Sequence, residues 1–227
     1  DFEFSGYSFG RTYRSLRKGR SYGFIDDNWT HSWSSRILTN KLGVFTANNK
    51  VVVSTATGDL EVYVISDTAQ VLRNTSRVGV VMKVLNNSTA MWQILEENSD
   101  YQNFGADGRL LSIGNLNDPA RKLSFTYLLN VDTNDWSWWA IKTATDARGR
   151  QLTFEYDINK TYQPRLLRIL LGSDPATPTL VQYRYWEEAD VTQVFWRLKQ
   201  AEYPDGRVRR YTYADQEITG PNRQKHY

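Results

Sequence analysis

The chain has no cysteine, little proline, no long apolar run and no large excess of one charge. The absence of cysteine among 227 residues excludes disulfides, thiolate metal sites and cysteine nucleophiles. No stretch approaches the roughly 18 apolar residues of a membrane-spanning helix, so we expect no membrane span. Asp1-Phe2-Glu3-Phe4 is neither an initiator methionine nor the basic start of a signal peptide, which indicates a processed or excised piece.

The charge is nearly balanced, at a formal +3, and gives little reason to expect nucleic acid as a partner. The basic residues are spread along the chain, with one dense cluster at Arg14, Arg17, Lys18 and Arg20. Such a cluster is able to touch phosphates, but a solvated loop beside a strand explains it more simply. We therefore predict no nucleic-acid partner.

Aromatic residues are abundant: the chain has 8 Trp, 14 Tyr and 9 Phe, against only 6 Pro. Aromatic and β-branched side chains favour strands. Apolar residues alternate with polar ones in short runs that end at Gly, Asn or Asp, and no long window keeps the 3.6-residue period of a helix. The sequence predicts an all-β fold.

The second half of the chain contains an internal repeat of about 29 residues. Pairs of aromatic residues two positions apart recur at Phe125 and Tyr127, Phe154 and Tyr156, Tyr183 and Tyr185, and Tyr211 and Tyr213. The final tyrosines of these pairs are 29, 29 and 28 residues apart. Residues 117–127 also align without a gap on residues 146–156. Four aromatic pairs at such a regular spacing are not expected by chance.

Each repeat contains a second short apolar run before the aromatic pair, so that the unit is strand, turn, strand. The turns include Asp107-Gly108, Arg148-Gly149 and Asp205-Gly206, and Asp-Gly pairs accept the positive φ of tight hairpins. We predict a series of antiparallel hairpins that stack into a curved ribbon, because one hairpin alone buries too little apolar surface in water.

Several segments resemble a known family. Residues 146–157, DARGRQLTFEYD, and residues 203–213, YPDGRVRRYTY, look like the YD repeats of the RHS family, in which a D-x-x-G-R turn precedes a strand that ends in Tyr-Asp. Gly149, Arg150, Tyr156 and Asp157 match that pattern in the first segment, and Gly206 is the turn glycine of the second. Residues 10–15, GRTYRS, and 23–33, GFIDDNWTHSW, are similar to the stretch that opens the repeat region of bacterial RHS proteins.

The resemblance implies a shell segment without chemistry of its own. In RHS proteins many YD repeats wind a β-ribbon into a cocoon around a C-terminal toxin or effector, or form an adhesive surface shell. The expected partners are therefore the remaining repeats and the effector of the same protein. The expected location is secreted or on the bacterial cell surface, or that of a secretion-system effector. The family's D-P-x-G autoprotease motif is not found, since Asp118-Pro119 and Asp174-Pro175 continue differently.

The regularity of the repeat divides the chain. Residues 1–104 are expected to form an irregular β-rich opening region, and residues 105–227 to form the YD-type hairpins. The aromatic residues, turn glycines, Arg150 and Asp157 named above are predicted to be structural, and no cofactor is expected.

Candidate sites for chemistry are few. His31 with Ser32 and Asp26 lacks a nucleophile-elbow motif, and a structural hydrogen bond is its simpler explanation. Neighbouring acids such as Glu96 and Glu97 point to opposite faces of a strand and do not flank one bond. The alternation of Asn130, Asp132 and Asn134 lacks the glycine and terminal glutamate of a calcium loop. We therefore expect neither an enzyme nor a metal site.

The best candidate for ligand binding is the cluster Trp136, Trp138 and Trp139, because aromatic faces stack on sugar rings and bases. The simpler reading is that these rings fill the wall of the ribbon. Two functions thus follow from the sequence: a scaffold of the RHS shell type, and, as the alternative, a carbohydrate-binding or adhesive module that contacts glycans or cell-surface partners.

Overall fold

The structure is a computed structural model that describes residues 1–13, 29–40, 43–44, 50–65, 71–85, 90–128, 140–157, 165–174, 176–187 and 196–212. Every regular element in these residues is a β-strand, and every strand pair is antiparallel. The prediction of an all-β, antiparallel fold is confirmed. Tyr213, Trp136, Trp138 and Trp139 lie outside the described residues, as do the calcium-loop candidates and the basic cluster.

Twenty-one strands are described. The first ten are β1 (Phe2–Phe4), β2 (Tyr7–Phe9), β3 (Arg11–Tyr13), β4 (Trp29–His31), β5 (Arg36–Ile37), β6 (Thr39–Asn40), β7 (Gly43–Val44), β8 (Lys50–Ser54), β9 (Leu60–Ile65) and β10 (Val71–Asn74). The others are β11 (Val81–Val84), β12 (Trp92–Leu95), β13 (Asp100–Phe104), β14 (Leu110–Asn115), β15 (Asp118–Tyr127), β16 (Ile141–Asp146), β17 (Gln151–Asp157), β18 (Arg165–Leu171), β19 (Thr179–Glu187), β20 (Trp196–Glu202) and β21 (Val208–Arg210).

Fifteen of these strands form one open sheet. Its order runs from β21 to β8 without a crossover and then ends on β5. β1 pairs with β2, β3 with β4, and β6 with β7 as separate two-stranded sheets. From β8 to β21 each strand therefore lies beside its neighbour in sequence, which is the arrangement that short hairpin turns impose. β13 and β14 pair across residue 104, and the division of the chain there stays a prediction.

Five hairpin turns share one pattern of main-chain hydrogen bonds. They span residues 55–59, 96–100, 105–109, 146–150 and 203–207. In each, the amide of the first residue donates to the carbonyl of the fifth, and the amide of the fourth donates to the carbonyl of the first. The fourth residue has a positive φ, as in a three-residue hairpin with a left-handed residue. It is Gly58, Ser99, Gly108, Gly149 and Gly206 in turn.

One face of the sheet contains the core. Buried and less buried residues alternate along β14, and along β17 Leu152 and Phe154 are buried while Thr153 and Glu155 are not. This is the period-2 alternation that the sequence predicts. We call the face that carries Phe125, Phe154 and the other core side chains the inner face, and the opposite face the outer face. β1, β2 and β4 contribute to the same core.

Candidate functional site

The repeated aromatic residues form a row on the inner face. The first members of the pairs lie on alternate strands, Phe125 on β15, Phe154 on β17 and Tyr183 on β19, and Tyr211 directly follows β21. Phe125, Phe154 and Tyr183 are buried, and Tyr211 packs against the same core while partly exposed. A repeat of two antiparallel strands returns each equivalent residue to the same face, so the 29-residue period produces a continuous aromatic row.

In the three pairs whose second residue the structure describes, that residue hydrogen-bonds to the main chain of the preceding strand. The hydroxyls donate as follows: Tyr127 to the Leu110 carbonyl at 2.6 Å, Tyr156 to that of Ile141 at 2.9 Å, and Tyr185 to that of Leu166 at 2.6 Å. The ladder between β16 and β17 ends at Thr143 and Thr153, so the hydroxyl of Tyr156 satisfies a carbonyl beyond the last pair. Burial raises the pKa of Tyr156 above its usual value, which keeps its hydroxyl a donor.

A β-bulge accompanies each of these tyrosines. The register shifts between Thr126 and Tyr127, between Glu155 and Tyr156, and between Arg184 and Tyr185. A bulge bends the strand and re-aims the side chain beside it. The extra residue of each bulge lies on the partner strand, so both aromatic residues of a pair stay on the inner face. The first is buried in the core, and the second packs against the core and contacts main chain.

The remaining predicted residues of the repeat lie in or beside the turns. Asp146 accepts hydrogen bonds from the amides of Arg148 and Arg150, each at 2.9 Å, and from Arg150 Nε at 2.8 Å. Burial raises the pKa of Asp146, but these bonds outweigh it and leave the pKa below its usual value. Asp157 forms an ion pair with Arg165 across β17 and β18. These contacts are structural.

The first strands of the chain cover part of the aromatic row. We call residues 1–13 and 29–33 the N-terminal segment. Its Trp33 ring lies 5.7 Å from Phe125 and 6.2 Å from Phe154, measured between centroids. Phe9 lies 5.9 Å from Phe154, and Trp29 lies 4.9 Å from the ring of Tyr211. This packing was not predicted from the sequence. The signal was present as the alternation of Phe2, Phe4, Tyr7 and Phe9.

A buried ion pair joins the N-terminal segment to the far end of the sheet. The side chains of Arg11 and Asp1 are each 2% exposed, and Arg11 Nη2 donates to Asp1 Oδ1 at 2.7 Å. The Tyr203 hydroxyl donates to the same oxygen at 2.7 Å. The guanidinium carbon lies 4.9 Å from the ring centroid of Tyr183 and 5.5 Å from that of Tyr211, within the range of a cation–π contact. Arg11 belongs to the GRTYRS segment, and its role here is to fasten that segment to β19–β21.

His31 packs and forms a hydrogen bond within the N-terminal segment. Its ring stacks on Phe9 at 5.2 Å, and its Nδ1 accepts a hydrogen bond from the Trp33 amide at 3.2 Å. Burial lowers the pKa of His31 to about 3, so the ring is neutral at pH 7. The Ser32 hydroxyl accepts a hydrogen bond from the Gly10 amide at 2.9 Å. Asp26, the third member of the hypothetical triad, lies outside the described residues.

The remaining candidates are acidic and aromatic residues in the part of the chain that the structure describes. There, no cluster of three or more His, Asp or Glu side chains is arranged to hold a metal ion. Glu96 and Glu97 lie in the turn of residues 96–100, where Glu96 pairs with Arg77. Trp186 is 46% exposed on the outer face, and Lys199 Nζ lies 4.1 Å from its ring centroid.

Within the described ranges, no helix is long and apolar enough to cross a membrane. Comparisons with known proteins give no family for the chain: no protein-family model matches it, and no curated protein matches it.

Proposed function

We propose that this chain is a segment of a β-strand shell of the RHS/YD-repeat type, which encloses or presents a C-terminal toxin or effector of the same protein. The segment is a scaffold and does no chemistry itself. It belongs to a bacterial protein that is secreted or displayed on the cell surface. Its partners are the remaining repeats and the effector.

The main support for this proposal is the strictly sequential, open order of the sheet. Fourteen strands follow one another from β8 to β21, β5 pairs with β8 as the fifteenth, and β5 and β21 are the two ends of the order. Among the described strands, β21 pairs on one side only, with β20. A sheet built in this way grows by whole hairpins, so further repeats extend it at β21 without disturbing the strands already formed.

The bulges support the curvature that a shell needs. They recur at the same position of three repeats, directly before Tyr127, Tyr156 and Tyr185. Each bulge bends its strand and increases the local twist. In all three the extra residue lies on the strand that follows, as Lys142, Leu167 and Lys199, so successive repeats are bent at equivalent positions. We infer a ribbon that curves continuously.

The structure of the full-length protein, determined by cryo-electron microscopy, tests the proposal. We expect the residues that follow this segment to continue the sheet at β21, with each added hairpin placing one aromatic residue in the inner row. A sheet that closes on itself through pairing of β21 with β5 would overturn the shell. So would a following domain that makes no strand pairing with β21.

Proteolysis of the full-length protein distinguishes enclosing from presenting. An enclosed effector should be cut far more slowly in the intact protein than the same effector expressed alone. Equal rates of cutting mean that the shell presents the effector on its outside. The effector's own exposed sites, mapped on the isolated domain, provide the reference.

The alternative of a carbohydrate-binding or adhesive module was based on Trp136, Trp138 and Trp139. These residues lie outside the described part of the chain, and no contact of the described residues favours this function. Isothermal titration with a panel of glycans, with Trp138→Ala as the control variant, decides it. Heat of binding that is lost in Trp138→Ala would establish the module.

A further inference from the structure

A groove opens beside the N-terminal segment, over the first part of the inner face. Its volume is about 720 Å³, and its lining includes Tyr7 and Trp33 of the N-terminal segment and residues of β8, β9 and β12 to β14. This volume lies within the roughly 300–1,000 Å³ of ligand pockets in proteins. We call it the carboxylate groove. None of the residues predicted from the sequence as binding sites lies in it.

The floor and one wall of the groove are apolar and rigid. Val53, Ile94 and Leu110 are buried in the floor. Tyr101 lies directly over Gly114 on the neighbouring strand, where an added Cβ would be 2.4 Å from the tyrosine hydroxyl oxygen. Glycine at this position therefore lets the ring lie flat against β14, so the wall exists before any ligand arrives.

The rim of the groove is strongly acidic, although the whole chain has a net charge of +3. Five carboxylates line the groove, and the lining contains a single guanidinium, that of Arg77. The carboxylates are Asp59, Glu61, Glu96, Glu97 and Asp100. Like charges that line one concave surface focus a field that attracts ligands of the opposite sign. The excess of negative charge is confined to the groove, because the net charge of the whole chain is positive.

Neighbouring side chains fix the position of most of these carboxylates. Glu61 accepts hydrogen bonds from the Tyr63 hydroxyl and from Asn74 Nδ2, both at 2.8 Å. Arg77 bridges Glu61 and Glu96, with Nη1 at 3.2 Å from Glu61 and Nη2 bonded to Glu96. This bridge shows how the rim holds a guanidinium: one carboxylate from β9 and one from the turn of residues 96–100 bind its two Nη atoms.

Glu97 is the rim carboxylate that stays available. In the described part of the chain its carboxylate accepts no hydrogen bond and forms no ion pair. Its side chain lies against Gly79, where an added Cβ would be 1.7 Å from Glu97 Oε1, so it is placed without being neutralised. Beside it, Val78 is 94% exposed. A charged and an apolar contact are thus offered side by side.

We propose that the carboxylate groove binds an extended peptide segment rich in arginine or lysine. A cationic group of the peptide pairs with Glu97, within the negative field of the other rim carboxylates, and its aliphatic stem packs against Tyr101 and Val78. Long basic side chains combine these two contacts, since their stems cover apolar surface while their charged ends reach polar groups. Charge complementarity favours this ligand over a neutral glycan. The site stands independently of the shell function.

Fluorescence polarisation with a labelled peptide of alternating glycine and arginine tests the proposal, with the glycine–glutamate peptide as the charge-reversed probe. We expect saturable binding of one arginine peptide per chain and no binding of the glutamate peptide. Raising the NaCl concentration from about 50 mM to about 300 mM should weaken the binding at least about five-fold, because the rim is exposed to salt.

Two substitutions at Glu97, matched by two at Glu155, locate the binding. Glu155 lies on the outer face of β17 and pairs with Arg168, so the same change in charge is made away from the groove. We expect Glu97→Gln to weaken binding about three-fold and Glu97→Lys about ten-fold, in line with exposed ion pairs. Glu155→Gln and Glu155→Lys should leave it unchanged. Because Glu97 is exposed, we expect its variants to fold, and thermal unfolding would check this.

Three results would overturn the proposal. The first is equal binding of the arginine and glutamate peptides. The second is an equal loss of affinity in Glu97→Lys and Glu155→Lys, which would mean diffuse attraction to the surface. The third is saturable, salt-independent binding of a neutral oligosaccharide that displaces the arginine peptide, which would make the groove a glycan site. The shell proposal survives each of these results, because its test is the continuation of the sheet at β21.

Discussion

The two parts of the large sheet are built with the same turns, but their inner faces are used differently. From β15 to β21 the inner face carries the aromatic row, and the N-terminal segment packs on it through Phe9, Trp33 and Arg11. At β8, β9 and β12 to β14 the same face borders the carboxylate groove. Turn chemistry therefore determines how strands follow one another, and the inward side chains determine what lies over them. The covered part is stabilised by contacts with the start of the chain, and the groove part is left open to a ligand.

The largest effect is expected where the N-terminal segment touches the aromatic row. Phe154 is buried against Phe9 and Trp33, and Phe154→Ala should lower the free energy of unfolding by about 4 kcal/mol. It should also loosen the segment, so that hydrogen exchange of the β1 and β2 amides becomes faster. Urea unfolding and native-state hydrogen exchange measure the two effects.

Phe104→Ala is the matched control in the groove part. Phe104 is fully buried on β13, and its truncation should cost a similar free energy of unfolding without faster exchange in β1 and β2. If both alanine variants accelerate that exchange equally, the two parts do not differ as described. Phe154→Leu and Phe104→Leu, each expected to cost about 1 kcal/mol, allow the same comparison if the alanine variants do not fold.

The buried ion pair offers a second way to detach the N-terminal segment from the covered part. Arg11→Met leaves the Asp1 carboxylate buried without a counter-ion, and we expect a loss of about 3 kcal/mol in the free energy of unfolding. Arg11→Lys keeps the charge but loses the two-pronged contact and the stacking on Tyr183, so its loss should be smaller. Urea unfolding of the two variants gives the difference.

A double variant tests whether the cost comes from the unpaired charge. Asp1→Ser combined with Arg11→Met should be more stable than Arg11→Met alone, because no charge is then left buried. A double variant that is less stable than either single variant would show that packing, and not charge pairing, fastens the segment.

Acid should weaken the covered part through His31. The folded protein holds the pKa of His31 at about 3, whereas an unfolded histidine has a pKa of about 6.5. Between these pH values only the unfolded chain binds the proton, so the free energy of unfolding falls as the pH is lowered, by up to about 1.4 kcal/mol per pH unit. Lowering the pH from about 6 to about 4 should cost roughly 2 kcal/mol more in the natural protein than in His31→Gln.

The comparison with His31→Gln removes the contribution of the carboxylates. Asp146 and Glu202 have pKa values below their usual range, and they also lose stabilising interactions in acid, but equally in both proteins. Urea unfolding across this pH range measures the difference. Identical pH dependence of the two proteins would mean that His31 is protonated in the folded state.

The sequence predicts what depends on local chemistry. Gly108, Gly149 and Gly206 have the positive φ expected of their turns, and Phe125, Phe154 and Tyr183 share one face as their period of 29 residues predicts. Gly58, followed by Asp59, is also a turn glycine with a positive φ. It lies in a part of the chain without a regular repeat, so the repeat does not point to it. Ser99 gives no such signal, since few residues other than glycine adopt its φ of 68°.

Contacts between distant residues could not be predicted from the same patterns. Arg11 and Tyr203 are 192 residues apart, and nothing in the local sequence of either indicates the other. The carboxylate groove has the same origin, because Glu61, Glu97 and Tyr7 come together only after the strands have stacked. Alternation predicts which face a residue occupies, but not which segment then covers that face.

The smallest effects are expected in the turns, which the two parts of the sheet have in common. Gly149 has a φ of 80°, and an added Cβ meets nothing within 4 Å, so Gly149→Ala costs only the backbone strain, about 1 kcal/mol. Ser99 occupies the same turn position in the groove part and already bears that strain. Ser99→Gly relieves it but loses the hydrogen bond from Asn117 Nδ2 to the serine hydroxyl. It should therefore raise the free energy of unfolding by about 0.5 kcal/mol. Thermal unfolding of both variants measures these opposite signs, and two losses of equal size would mean that the turns of the two parts are not equivalent.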